Sequence, residues 1–141
     1  MHYQLFPFFL FWFRFRHILH YGEVNLSLER IVKTLMSMDL SETDAQVYVF
    51  LALNGPHIAR EISRSMNLNK AQIYRSLRRL QKKDIALATA VSPAVFSVIP
   101  FERLLDLLVE IRKERESALR DAREELLSSW QKVIKRNSQN N

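Results

Sequence analysis

The chain has 141 residues, of which 48% are apolar and 26% charged, the make-up of a globular domain with something added. Its two glycines, Gly22 and Gly55, lie 33 residues apart, so no glycine-rich phosphate-binding loop can be built. There is no cysteine, which excludes disulfides, thiolate catalysis and cysteine-ligated zinc. The net charge is +6, but it is concentrated: residues 57–83 hold eight Lys/Arg against one acid, Glu61. That is +7 in 27 residues and leaves −1 for the rest of the chain. A local basic patch of this size is the footprint of a polyanion-binding site.

Residues 1–24 hold nine of the 15 aromatics. The apolar run Leu5–Phe13 is broken by Pro7 and ended by Arg14 and Arg16, too short for the ~20 residues of a membrane span. The basic residues follow the run and no small-residue cleavage site does, so it does not read as a signal peptide. Two readings stand: an interfacial or partner-binding segment, or a start assigned too far upstream that leaves a tail outside the working protein. The second, or a poorly ordered tail, is preferred. His17 and His20 have no third ligand near them in sequence, and no metal or cofactor is expected.

Leu28, Ile31, Val32, Leu35 and Met38 recur at helical spacing and predict a helix over 27–38. Ser41 with Asp44 resembles a capping box and opens a second helix with Ala45, Val47, Tyr48, Leu51 and Ala52 inward, ended by Asn54-Gly55-Pro56. A short helix over 58–66, a turn at 67–69 and a helix over 70–83 follow. From Ile85 to Ile99 the period changes to that of two strands around Ser92-Pro93, a small hairpin. Pro100 opens one long helix to Arg136, with an apolar stripe Leu104, Leu108, Ile111, Leu119, Leu126, Trp130 and Val133. Such a rod has no core of its own, and a second copy of the chain is the simplest partner, so these seven residues are assigned to dimerisation. The expected divisions are a segment 1–24, a domain 25–100, a dimerisation helix 101–136 and a disordered tail 137–141.

Helix–turn–helix followed by a hairpin is the winged helix-turn-helix plan, in which the second motif helix enters the DNA major groove. The fold class is therefore mainly α, with a small β wing and a long coiled-coil-like C-terminal helix. Ile73, Leu77 and Leu80 point to the core, and the opposite side of the 70–83 helix is basic. Asn69, Lys70, Gln72 and Arg75 sit where base edges are read. Arg60, Arg64, Arg78, Arg79 and Lys82 are placed for phosphates. His57 is read as a loop residue near DNA, and Tyr48 and Tyr74 as core residues.

Three stretches together resemble a family: Leu40-Ser-Glu-Thr-Asp-Ala-Gln-Val-Tyr-Val-Phe-Leu-Ala-Leu-Asn-Gly-Pro, Ala59-Arg-Glu-Ile, and Ile73-Tyr-Arg-Ser-Leu-Arg-Arg-Leu-Gln-Lys-Lys. They look like the DNA-binding domain of the TrmB family of archaeal transcriptional regulators, over about residues 30–100, with a long helix similar to that family's coiled-coil linker. The resemblance implies a cytoplasmic dimer that binds promoter DNA and controls transcription. The chain departs from the family in three places. Asp39 and Asp84 stand where glycine is usual, at helix ends that want a left-handed residue. No sugar-binding domain follows the long helix, so a sugar effector is not carried over. The aromatic N-terminus has no counterpart. An enzyme is not expected, since no nucleophile–base set or paired carboxylates are visible. The alternatives are a winged-helix adaptor that binds protein, and a regulator tethered to membrane by Phe6–Phe15.

Overall fold

The computed structural model describes residues 22–141. The aromatic segment and the His17/His20 pair lie outside the described residues. Helix α1 spans Gly22–Ser37 and α2 Glu42–Asn54. A two-residue strand β1, His57–Ile58, leads into α3, Ala59–Met66, and α4, Lys70–Lys82. Strands β2 (Ala86–Ala88) and β3 (Val95–Val98) form the wing, and α5 runs Phe101–Gln139. Helix α1 starts five residues before its expected position. Helix α5 continues three residues past Arg136, where adding one residue to an existing helix costs little.

The sheet has three antiparallel strands in the order β1-β3-β2. His57 pairs with Phe96 and Ile58 with Val95, while Ala86, Leu87 and Ala88 pair with Val98, Ser97 and Phe96. Strand β1 leaves no mark in the sequence pattern, because two residues show no alternation and their partner is nearly 40 positions away.

Three helices end alike. In each, a non-glycine residue takes a left-handed conformation: Asp39 (φ 71°), Asn67 (φ 53°) and Asp84 (φ 60°). The next N–H then reaches back five residues, Leu40 to Leu35 O, Leu68 to Ser63 O and Ile85 to Leu80 O, at 2.9–3.2 Å. This is the Schellman arrangement with its usual apolar residue just beyond the cap. Leu40 and Ile85 are buried there. Gly55 at φ 79°, ψ −170° closes α2 in a region that side chains avoid.

The core of the winged-helix unit joins Val32 and Leu35 of α1, Val47, Tyr48 and Leu51 of α2, Ile62 and Met66 of α3, and Ile73, Leu77 and Leu80 of α4. Ala52, expected inward, is exposed. The buried Tyr48 hydroxyl donates to the Ile99 carbonyl at 2.8 Å, and burial pushes its pKa up to about 12.

The chain divides into two compact units at Leu104/Leu105. This corrects the reading of the long stripe. Leu104, the last residue of the first unit, is 0% exposed within it and is not free for a partner. A 3–4 spacing marks a face that is covered, but not whether the cover is the same chain or another. Ile111 is half-buried. Leu119, Leu126, Trp130 and Val133 remain 53–65% exposed.

Two stability changes follow. Leu104→Ala should lower the unfolding free energy by about 2–5 kcal/mol in denaturant titration, as a fully buried leucine does. Asp84→Gly, which releases an exposed left-handed side chain with no hydrogen bond or ion pair among the described residues, should raise it by about 0.5–1 kcal/mol.

Candidate nucleic-acid interface

The interface is built on α3, the Asn67–Asn69 turn and α4. Ser63 Oγ donates to the Leu68 carbonyl and ties the turn to α3. Asn69 then caps α4 reciprocally: its Oδ1 accepts from the Gln72 N–H at 2.8 Å, and Gln72 Oε1 accepts from the Asn69 N–H at 3.3 Å. Two of the four residues assigned to base readout therefore fasten the start of α4. Each keeps its amide NH2 donors, which suit acceptors on base edges. The other two, Lys70 and Arg75, are exposed and make no side-chain bond to the described residues.

The residues assigned to phosphates divide. Arg60, Arg64 and Lys82 are exposed and unpaired among the described residues. Arg78 is exposed, with Nε donating to its own helix at the Tyr74 carbonyl, 3.3 Å. Arg79 is held by the protein. Its Nε and Nη2 donate to both carboxylate oxygens of Asp44 at 2.8–3.2 Å.

Asp44 is the unusual group here. It is 1% exposed, in the first turn of α2, and Ser76 Oγ donates to it at 2.6 Å from the buried side of α4. Burial pushes its carboxyl up. Hydrogen bonds from Arg79, Ser76 and Ser41, with the Arg79 charge, outweigh that and hold it below its ordinary value of 3.8. The bond to Asp44 in turn raises Arg79. Charge matching of this kind keeps a carboxylate ionised out of water. The sequence marks Asp44 only as a capping residue, although a serine on the Ile73–Leu77–Leu80 face is a polar group that needs a partner.

Lys83 donates from Nζ to the Asp39 carbonyl at 2.9 Å, so the end of α4 is also tied to the α1–α2 turn. Tyr74 departs from the core role expected of it. It is 45% exposed, edge-on to Phe96 with centroids 6.5 Å apart, because it lies one step off the buried stripe. It thereby joins Lys70, Arg75 and Arg78 on the open side of α4. His57 is a strand residue and not a loop residue. Its Nδ1 donates to the Gly55 carbonyl at 2.8 Å, and its ring meets Phe50 edge-on. Among the described residues no His/Cys/Asp/Glu group could hold a metal, and no helix is long and apolar enough to cross a membrane.

Residues 35–102, which hold this whole arrangement, match the family model described as sugar-specific transcriptional regulator TrmB. Over these residues the chain is similar to the TrmB family. Among solved structures, the chain is 25% identical to TrmBL2, an archaeal chromatin protein, with a TM-score of 0.59 over 72% of this chain and 40% of that one. The chain thus spans well under half of TrmBL2. It is 21% identical to the ST1889 protein of Sulfolobus tokodaii, with a TM-score of 0.54 over 64% of this chain and 96% of that one. A possible transcriptional regulator from Methanosarcina mazei, 17% identical, has a TM-score of 0.51 over 69% and 86%. The latter two share the fold. No curated protein matches the chain. The TrmB match covers the winged helix alone, so the sugar specificity in the family's description is not transferred.

The lowered Asp44 carboxyl has a pH signature. Its folded pKa lies below the unfolded one, so its contribution is complete above about 3.8 and is lost as pH falls through the folded value. Asp44→Asn should cost about 1–3 kcal/mol at neutral pH. It should also flatten the acid limb below pH 3.8 in denaturation followed by circular dichroism.

Proposed function

We propose that this chain is a sequence-specific DNA-binding transcriptional regulator that acts in the cytoplasm as a dimer on a palindromic promoter site. The observation that carries the proposal is the open face of α4. Lys70, Arg75 and Lys82 have no partner there among the described residues, while the opposite face is sealed in the core. Unpaired cations on a rigid, capped helix suit a polyanion whose groove admits a helix.

On this reading Asn69, Lys70, Gln72 and Arg75 meet base edges, and Tyr74 adds an exposed ring beside them. Arg60, Arg64, Arg78 and Lys82 hold phosphates, with Arg79 contributing only what Asp44 leaves free. The wing has no charged residue between Ile85 and Ile99, so phosphate contacts fall to α3 and α4. The similarity to TrmBL2, described as showing a novel mode of DNA binding, supports duplex DNA as the partner. Dimerisation falls to Leu119, Leu126, Trp130 and Val133, the part of the stripe left open. Half-sites then lie one helical turn, or a multiple of it, apart. The activity is binding and not catalysis.

The test is selection of tight binders from random duplexes with the whole chain at two salt concentrations. A palindrome should be enriched, and affinity should fall steeply with salt as counterions are released. Arg75→Ala should relax preference at one position by about 1–3 kcal/mol, and Lys82→Ala should weaken all sequences alike. Weak binding with no enriched site would overturn the proposal in favour of a protein-binding adaptor.

A further inference from the structure

The exposed part of α5 has a symmetry that sets how two copies would meet. Leu119, Ala122, Leu126, Trp130 and Val133 are spaced by three, four, four and three residues, the same in either direction about Leu126. The run continues the 4-4-3 steps of Ile111, Arg115 and Leu119, an 11-residue period of ~3.67 per turn. That is close to the ~3.6 of a straight helix, so the stripe scarcely winds.

We infer that a second copy of this chain packs on this stripe antiparallel, with the two-fold axis at Leu126. The inference rests on the dimer proposed above and adds the direction of pairing. Turned end for end about Leu126, the seam sets Leu119 against Val133, Leu126 against itself, and Ala122 against Trp130. The smallest seam residue then receives the largest, as close packing requires. A parallel pair would place Trp130 on Trp130 and leave a gap between two alanines.

Charge points the same way. No acid follows Glu125, while Lys132, Lys135 and Arg136 follow it. Parallel pairing gathers all six of those cations at one end. Antiparallel pairing carries them to the part of the partner that holds Glu114, Glu116 and Asp121. On one flank of the seam Lys132 comes level with Asp121 of the second copy, and Arg136 comes within a turn of Glu114. On the other, Arg123 comes level with Trp130, a cation beside an indole face. The one like-charged meeting is Glu125 with its symmetry mate, an exposed pair whose repulsion is small.

The chain has no cysteine, so single nitroxide labels can be placed at will. Ser128→Cys and Ser138→Cys lie two and twelve residues from the axis. In an antiparallel pair their label partners are separated along the helices by about 6 Å and about 36 Å, at 1.5 Å per residue. Pulsed electron-spin measurements on the full chain should therefore give a much longer distance at 138 than at 128. Equal distances at the two positions, in a dimer confirmed by sedimentation, would overturn the antiparallel seam and leave the dimer standing. A monomer in sedimentation, with no interspin distance at either position, would overturn both.

Discussion

A carboxylate removed from water cannot be left alone, and Asp44 draws its two distant partners from a single helix. Ser76 reaches it from the buried side of α4 and Arg79 from the rim. The three groups fix the rotation of α4 about its own axis more tightly than apolar contact could, since leucines tolerate small rotations and a two-pronged guanidinium does not. Once that rotation is set, Ile73, Leu77 and Leu80 face inward and Lys70, Arg75, Arg78 and Lys82 face out. The exposed face is thus a consequence of the buried one. Lys83 on the Asp39 carbonyl secures the far end, and the Asn69–Gln72 pair secures the near end.

The fold is economical with glycine. Three Schellman turns would each favour glycine at the left-handed position, and the chain uses aspartate or asparagine at all three. These residues tolerate that region better than other side chains, at a modest cost. What holds the turns is the apolar residue one place on, above all Leu40 and Ile85, whose burial recovers more than the backbone loses. The departure from the family's pattern at Asp39 and Asp84 therefore leaves the turn geometry intact.

Much of this was legible in the sequence. The periodicity placed α2, α3 and α4 to within a residue, and Ser41 and Gly55 marked the ends of α2 correctly. The left-handed positions at Asp39 and Asp84 could be anticipated from where the helices had to stop. What escaped was the pairing of groups far apart in the chain. Strand β1 exists because β3 comes to it, and nothing within two residues can say so. Asp44 looked like a capping residue because its local role hid a distant one, 35 positions away in Arg79. Tyr74 was assigned to the core on residue type, yet its place on the helix wheel is at the margin. The stripe on α5 was read as a single seam, because period alone does not separate Leu104 from Leu126. In the interface the charges were legible and their commitments were not: Arg79 counts as a cation in the sequence and as half of an ion pair in the fold.

On the proposed function, the reciprocal cap at the start of α4 bears on how a preference among DNA sequences could change over generations. Asn69 and Gln72 serve the helix and, on the proposed reading, the groove. Substituting either one alters what is read and loosens the element that reads it. Lys70 and Arg75 carry no such double duty. Drift in operator choice would run through these two positions first, with the capping pair held nearly constant among descendants that keep the fold.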